Sequence, residues 1–371
     1  MKTFSLLLLA FFAASISTFA TIRTVNNNLN GPGQFTAIQT AIDNSNSGDT
    51  IYVASSPANY TDPADNIFQV TKKLTFIGVG MRPGEKKENQ ALSRIGSRFD
   101  IATTDANGSS WIGFYFAGVG SALNVSGGVS NCQVLRNWFD ASSTYLGFNS
   151  ASFSGWLIAN NFFGMSCGPG INLNNNTVTN FIIQNNVFAE GSGCGVLNGI
   201  APIQNFSNSA NCIVSNNLFY GQQGVGVGNN DQAFINCTNL IVENNIFHTM
   251  SPNGLSNSVT NNNITFGTVQ DALPYGTNSG ANNQANVDPQ LTTFSVSSFD
   301  PRAQNFQPAG GPAKTGGVGG TQMGVYGGSG FNWNNSAVPA IPVIKNFSIT
   351  SGSTVPAGGN ITIKVTSTKQ N

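Results

Sequence analysis

A six-residue motif recurs five times between residues 134 and 247, and it limits what the chain can fold into. In each copy a branched aliphatic residue stands three positions before an asparagine, and a phenylalanine stands two positions after it. The copies are Val134–Phe139, Ile158–Phe163, Ile183–Phe188, Val214–Phe219 and Val242–Phe247. Their asparagines lie 24, 25, 31 and 28 residues apart, and self-similarity at such a period is typical of a solenoid.

The composition of the repeats selects the kind of solenoid. Short β-branched and aromatic runs alternate with Asn, Gly and Ser, and no stretch carries the apolar spacing of an amphipathic helix. About 24 residues accommodate roughly three short strands and their turns. Asparagine tolerates the left-handed backbone of a tight bend, and asparagines stacked about 4.8 Å apart can form a hydrogen-bonded ladder. The sequence therefore predicts an all-β fold, a single-stranded right-handed parallel β-helix with the phenylalanines stacked inside.

Other segments resemble a known family. The repeats resemble the PbH1-type repeats of the pectin lyase-like superfamily. Residues 33–53, in which Phe35, Ile38, Ala41 and Ile42 line one face of a short helix, resemble the entry segment of these proteins, and residues 286–328 resemble their closing segment. Such a helix can cap the open N-terminal end of a β-helix. Asp49 is the acid most similar to the family's pattern, and a turn and capping role is favoured over a functional one. The resemblance says little about function, because this fold carries lyases, hydrolases, adhesins and inert surface proteins.

The chain divides into four regions. Residues 1–20 read as a secretory signal peptide with an apolar run too short for a membrane span, which predicts a secreted, extracellular or cell-surface protein. Residues 21–336 form the β-helix with its cap, and residues 337–342 form a proline-containing linker. Residues 343–371 form a small C-terminal β-hairpin tail, which resembles the tails of exported Bacteroidetes-type proteins.

Charge and cysteine content limit the kinds of partner and the disulfide bonds that the chain can have. The net charge is zero and only 8% of the residues are charged, which argues against nucleic acid as a partner. Of the five cysteines, Cys132 and Cys212 share one repeat column but are too distant to bond, so buried thiols are the favoured interpretation. A bridge between Cys167 and Cys194 remains an alternative. The mixed-sign residues 81–100 predict a solvated loop, with a ligand-binding loop as the alternative.

Candidate catalytic residues are few. Arg136 is the single Lys or Arg between residues 101 and 301, so a proton-abstracting lyase would depend on it. Asp140 and Glu190 lie two coils and one column apart, about 10 Å, near the upper limit for an inverting glycosidase pair. His248 shares the column of Asp140 but lies four coils away. No metal site is expected, and although calcium at the Asn- and Asp-rich turns is an alternative, no carboxylate cluster supports it.

Two apolar columns flank each repeat asparagine, four positions before it and one position after it. If one of them faces outward, it is covered by a loop or the tail, or it forms a contact surface such as a sugar-binding face. Because paired ionisable residues are scarce, the sequence favours a non-catalytic glycan-binding, adhesive or structural protein with polysaccharide as its partner. The alternative is a polysaccharide lyase or glycoside hydrolase that uses Arg136, Asp140 or Glu190.

Overall fold

The computed structural model of the chain describes residues 20–28, 31–80, 92–118, 120–141, 144–149, 152–165, 168–190, 200–221, 232–293, 305–328, 342–349 and 363–369. Within them, parallel strands stack into three long sheets, and the chain visits the sheets in turn. Each circuit adds one coil to an all-β parallel β-helix, so the fold predicted from the repeats is confirmed. In this described part, no helix is long and apolar enough to span a membrane.

The three sheets contain ten, eight and seven strands. The first sheet contains β1 (Ile22–Val25), β2 (Thr50–Val53), β4 (Thr75–Ile77), β7 (Ser110–Ile112), β10 (Gln133–Leu135), β14 (Leu157–Ala159), β18 (Ile182–Gln184), β22 (Cys212–Ser215), β26 (Leu240–Glu243) and β29 (Val259–Asn261). The second contains β5 (Arg94–Ile95), β8 (Tyr115–Ala117), β11 (Trp138–Ala141), β15 (Phe162–Met165), β19 (Val187–Glu190), β23 (Leu218–Tyr220), β27 (Ile246–His248) and β30 (Ile264–Phe266). The third contains β3 (Ile67–Gln69), β6 (Arg98–Ile101), β9 (Leu123–Val125), β12 (Leu146–Phe148), β16 (Ile171–Asn172), β20 (Ile203–Gln204) and β24 (Phe234–Ile235).

Shorter strands complete the architecture. Two small parallel sheets bridge the turns, and two antiparallel pairs follow toward the C-terminus. The parallel ones are β13 (Phe153–Ser154), β17 (Thr177–Thr179) and β21 (Asn208–Ala210), and β25 (Cys237–Thr238) with β28 (Leu255–Ser256); the antiparallel pairs are β31 (Leu291–Thr293) with β32 (Asn305–Pro308), and β33 (Pro342–Ile349) with β34 (Ile363–Lys369). The pair β33–β34 is the predicted C-terminal β appendage. Residues 1–19 of the predicted signal peptide and residues 337–341 of the predicted linker lie outside the described residues.

A short helix, α1 (Ile38–Asp43), closes the N-terminal end of the stack. Its buried face consists of Ile38, Ala41 and Ile42, and it packs against β1, β2 and β3, as predicted for a cap. Asp49 follows in the turn and is 1% exposed. Burial acts to raise the pKa of Asp49, but hydrogen bonds from the Thr21 and Asn46 N–H groups and from Arg23 outweigh it, so the pKa lies below its ordinary value. Asp49 is therefore a structural turn residue.

The repeat asparagines form an internal ladder at the corner between the first and second sheets. Asn161 shows the pattern: its Oδ1 accepts hydrogen bonds from the backbone N–H and side-chain amide of Asn137, and its Nδ2 donates to the carbonyl of Val134 and to Oδ1 of Asn186. The complete ladder is Asn137, Asn161, Asn186, Asn217, Asn245, Asn263 and Asn283. Because an unsatisfied buried amide costs about 1–3 kcal/mol, each ladder residue stabilises the coil beside it.

The left-handed bend lies one residue earlier than the sequence suggested. The residue before each ladder asparagine has a φ between +52° and +60°, whereas the ladder asparagine itself does not have a positive φ. These corner residues are Arg136, Asn160, Asn185, Asn216, Asn244, Asn262 and Asn282, with Gly113 at φ +75° in the coil before them. The bend resets the strand alternation, which explains how the residue three positions before the ladder asparagine and the phenylalanine two positions after it both point inward.

The interior is packed by an aromatic stack. Phe116, Phe139, Phe163, Phe188, Phe219 and Phe247 lie one above another with ring centroids 4.7–5.0 Å apart and rings within 11° of parallel. Cys132, Cys212 and Cys237 are buried free thiols among these core residues, as favoured from the sequence. The alternative pair, Cys167 and Cys194, lies outside the described residues.

A closing segment, residues 305–328, covers part of the outer face of the second sheet. It contains β32 and short 3-10 helices at Pro312–Lys314, Val318–Gly320 and Gly324–Tyr326. Phe162, Val187, Leu218, Ile246 and Ile264, the outward column one position after the ladder asparagines, form a second apolar cluster with Phe306, Ala313, Met323 and Val325 of this segment. One of the two apolar columns is therefore covered by a later part of the chain.

Corner asparagines hold the closing segment in place. Asn185 donates from Nδ2 to the carbonyls of Val325 (3.0 Å) and Gly327 (2.9 Å). Asn244 accepts from the Val318 N–H (2.9 Å), and Asn262 donates to a further carbonyl at residue 316 (2.8 Å). The same side chains that permit the bends thus dock a strand-poor segment whose backbone groups would otherwise lack partners.

Candidate functional site

Three side chains stack along the axis on the outer face of the second sheet, at its N-terminal end, where Trp138 belongs to the same apolar cluster as the closing segment and Tyr115 packs against that cluster. Arg94, Tyr115 and Trp138 occupy register-matched positions on β5, β8 and β11. The guanidinium carbon of Arg94 lies 4.9 Å from the Tyr115 ring centroid, and the Tyr115 and Trp138 centroids are 4.3 Å apart. Because the ring faces of Tyr115 are turned toward its neighbours in the stack, it presents a ring edge and its hydroxyl group to the outside.

Hydrogen bonds connect this stack to two exposed polar side chains. Nε of Arg94 donates to Oδ1 of Asn59 at 3.1 Å, and the Tyr115 hydroxyl donates to Oδ2 of Asp140 at 2.9 Å. Asn59 and Asp140 are exposed, while Arg94 and Tyr115 are half-buried. We call Asn59, Arg94, Tyr115 and Asp140 the outer network. It brings together an amide, a guanidinium, a phenol and a carboxylate, the last three on strands of the second sheet.

The segment containing Arg94 differs from its sequence-based description. Residues 81–91 lie outside the described residues, but residues 94–95 and 98–101 are the strands β5 and β6 rather than a solvated loop. The charged side chains of these strands take outward positions on the coil, alternating with the buried residues Ile95, Phe99 and Ile101. A mixed-sign run is therefore compatible with short strands when every second residue is apolar.

Arg136 lies at the left-handed corner between β10 and β11, two residues before the stacked Trp138. Its φ is +58°, and its side chain is half-buried. Desolvation by this burial lowers the pKa of Arg136 below its ordinary value. It occupies the corner column, in which asparagines follow in the next coils.

The structure does not bring the predicted carboxylates into one column. Asp140 is in register with Gly164 and, through it, with Ala189, whereas Glu190 is in register with Met165. The two residues are thus two strands and one register position apart on the second sheet, about 10 Å at 4.8 Å per strand. Asp140 is hydrogen-bonded to the hydroxyl of Tyr115. The backbone geometry matches the spacing inferred from the repeats and provides no closer approach.

His248 lies in the column of Asp140, four strands away, and cannot act with it. Its ring stacks on Tyr220 at 4.9 Å and meets the edge of Phe266 at 5.2 Å. Desolvation lowers the pKa of His248, although the charge of Asp288 acts in the opposite direction. Within the described residues, no group of three or more His, Cys, Asp and Glu side chains is placed to hold a metal ion.

The roles of Asn59, Arg94 and Tyr115 were missed from the sequence. The coil Ile112–Phe116 is a loose copy of the motif in which Tyr115 aligns with Trp138, so this pair could have been found by extending the repeat alignment backwards. Asn59 could not, since it reaches the site from a turn 35 residues before Arg94.

The remaining apolar column is less well covered than the one beneath the closing segment. Ile241 and Val259 on β26 and β29 are 36% and 37% exposed, and Leu157, Ile182 and Ile213 are half-buried. From Leu157 to Val259 this column carries apolar side chains, and the exposed Gln133 precedes them in register with Leu157. Comparison of the chain with protein-family models, with curated proteins and with solved structures finds no match, so its function rests on these residues and their geometry.

Proposed function

We propose that this protein is a non-catalytic glycan-binding protein of the cell exterior and that the outer network binds the glycan. The observation that carries the proposal is the outer network, in which hydrogen bonds join Arg94 to Asn59 and Tyr115 to Asp140 while the Arg94 guanidinium lies over the Tyr115 ring. The export signal inferred from residues 1–20 supports an extracellular location.

The chemistry of the outer network suits sugar hydroxyl groups. A hydroxyl both donates and accepts a hydrogen bond, and the network contains an acceptor in Asp140, donors in Arg94, and both in the Asn59 amide and the Tyr115 phenol. Because the side chains already hold one another in place, little rotamer entropy is lost when a ligand binds.

The same geometry gives less support to catalysis. A glycosidase of the inverting type needs two carboxyl groups facing one bond at roughly 6.5–9.5 Å. Asp140 and Glu190 sit in different register columns about 10 Å apart on the backbone. One observation favours the alternative, a polysaccharide lyase: the pKa of the half-buried Arg136 is lowered by desolvation, although arginine is a poor general base.

The test combines binding and turnover on the purified chain. Glycan-array screening is followed by affinity electrophoresis on each bound polysaccharide, for the unsubstituted chain and for Tyr115→Phe and Asp140→Ala. Tyr115→Phe removes only the hydroxyl and retains the ring stack. Asp105→Asn is the control, because Asp105 is an exposed carboxylate in a turn outside the network. We expect each network variant to weaken binding about tenfold, since each removes about 1–1.5 kcal/mol of hydrogen bonding.

Two results would reject the proposal. If the chain binds no glycan, the proposed function is wrong. If the control and both network variants bind equally well, the outer network is not the binding site. Release of unsaturated or reducing-end product that is lost in Arg136→Ala or Asp140→Ala would establish the enzymatic alternative instead.

A further inference from the structure

An open cleft lies around the corner from the outer network, between the second and third sheets. Its volume is about 590 Å³, within the range of small-molecule sites. Three successive coils line it, through residues 65–67, residues 96–98, and residues 118, 120 and 121. The cleft therefore extends parallel to the axis over the coils that also carry Arg94 and Tyr115.

The cleft and the outer network are joined through the backbone. Residue 96, at the cleft, directly follows β5, the strand that carries Arg94. On the next coil, the N–H of Gly118 donates to the carbonyl of Asp140 at 3.2 Å. Gly118 has a φ of +67°, and a Cβ atom built there would meet nothing within 4 Å. The corner between the two surfaces therefore carries no side chain at Gly118 and leaves open space there.

Polar groups in the cleft are held in position. Oδ1 of Asp65 accepts the N–H of Ile67 at 2.9 Å, which fixes an exposed carboxylate on the cleft wall. Nε and Nη2 of Arg98 donate to the two carboxylate oxygens of Asp100 at 2.8 and 3.1 Å. That fork uses two of the five guanidinium N–H groups, so Arg98 is oriented without exhausting its donors.

The charges of the outer network and the cleft do not favour binding of an acidic sugar. Arg98 is neutralised by Asp100, and Arg94 on the outer network is accompanied by Asp140. Asp65 adds one further carboxylate. Among the described residues named on the two surfaces, two arginines stand against three aspartates, which leaves one net negative charge. A carboxylate-bearing sugar placed in the cleft would meet this excess negative charge at close range, and a neutral sugar would not.

We infer that the cleft is a second subsite for the glycan and that Asp65 makes the site select neutral over acidic glycans. This inference rests on the glycan-binding function proposed above. The ligand is then an oligosaccharide long enough to contact the outer network and the cleft together. Like-charge repulsion at close range and intermediate dielectric is expected to weaken binding of an acidic oligosaccharide on the order of tenfold, with the difference shrinking at high salt.

The test uses calorimetric titration of the full chain with neutral gluco-oligosaccharides and with oligogalacturonates, each in a short and a long form. Asp65→Asn keeps the acceptor for the Ile67 N–H and removes only the charge. Ser121→Phe fills the cleft. We expect Asp65→Asn to strengthen oligogalacturonate binding about tenfold relative to neutral binding. Ser121→Phe should weaken long neutral ligands to the level of short ones. Asp105→Asn, with the same charge change in a turn outside the cleft, should change neither.

The outcomes separate the two proposals. If Tyr115→Phe weakens glycan binding but Asp65→Asn and Ser121→Phe leave affinity and selectivity unchanged, the cleft inference is wrong and glycan binding by the outer network stands. Tighter binding of oligogalacturonates than of neutral ligands by the unsubstituted chain would also overturn the inference. If no glycan binds at all, the proposed function itself fails.

Discussion

Arg136 is the residue that departs from the rule of its own column. The neighbouring corners are Gly113, Asn160 and Asn185, residue types that tolerate positive φ, whereas arginine at φ +58° has a Cβ that crowds the following carbonyl. This crowding costs about 1–2 kcal/mol, and such strain is found disproportionately at functional sites. The lowered pKa of Arg136 comes from desolvation, which points to packing of its side chain as the compensating contribution.

Replacing this arginine tests whether strain or packing dominates at the corner. We expect Arg136→Asn to raise the free energy of unfolding by about 1 kcal/mol, because asparagine is accommodated in the left-handed region. Urea denaturation measures the change. Asn239→Arg is the reciprocal control, since Asn239 is exposed with φ +58° and should lose a similar amount. A loss of stability in Arg136→Asn would show that the packing of the arginine outweighs the strain.

At the scale of elements, the corner asparagines and the closing segment depend on each other. Asn185 holds two carbonyls of that segment, and Asn244 and Asn262 hold it at further points. Beneath it, Gly324 lies against Ile246, where an added Cβ would come within 2.7 Å of the isoleucine side chain. The segment has little regular structure of its own, so its order comes from these side-chain bonds and from the apolar column that it covers.

Removing one of these side chains should therefore loosen the closing segment without disturbing the coils. Asn185→Gly keeps the left-handed corner accessible and deletes two hydrogen bonds. We expect faster hydrogen exchange in residues 316–327, corresponding to about 1–3 kcal/mol of lost protection, with unchanged exchange in β18 and β19. Asn239→Gly, at an exposed left-handed corner that makes none of these docking bonds, is the control. Equal exchange rates in the two variants would mean that apolar packing alone orders the segment.

These elements also show what the sequence could predict. Periodicity indicated the coils, the asparagine ladder and the phenylalanine stack, because identical side chains one coil apart must meet in any parallel solenoid. It placed the bend one residue late, since Asn160–Asn161 and similar pairs leave open which asparagine turns and which stacks. It could not decide which apolar column is covered, because that depends on a segment beginning 22 residues after the last ladder asparagine, from Asn283 to Asn305. The outer network was missed for the same reason: Tyr115 and Asp140 are 25 residues apart and meet only once the strand register is known.

The whole molecule is a stack in which each coil contacts its neighbours, so stability should vary along its length. In such a one-dimensional array, coils at an end open at a lower free energy than coils in the middle. Two of the three buried thiols lie at different positions along the stack and can report this variation in stability. Cys132 precedes β10 in the middle of the stack, whereas Cys237 begins β25, near the last coils. Burial raises the pKa of Cys132 to about 11 and that of Cys237 to about 12, so neither thiol reacts from the closed state at mildly alkaline pH.

Thiol labelling then reports the opening of individual coils. In a variant with Cys167 and Cys194 changed to serine, we expect iodoacetamide to label neither Cys132 nor Cys237 in the native chain. In mild denaturant, Cys237 should react before Cys132. Mass spectrometry of the digested protein measures the labelling of each thiol. Adding Asn244→Gly, which removes a docking bond of the closing segment over the late coils, should accelerate the labelling of Cys237 and leave Cys132 unchanged. Simultaneous labelling of both thiols, with or without that substitution, would show that the stack opens as one cooperative unit and that the closing segment does not protect the late coils in particular.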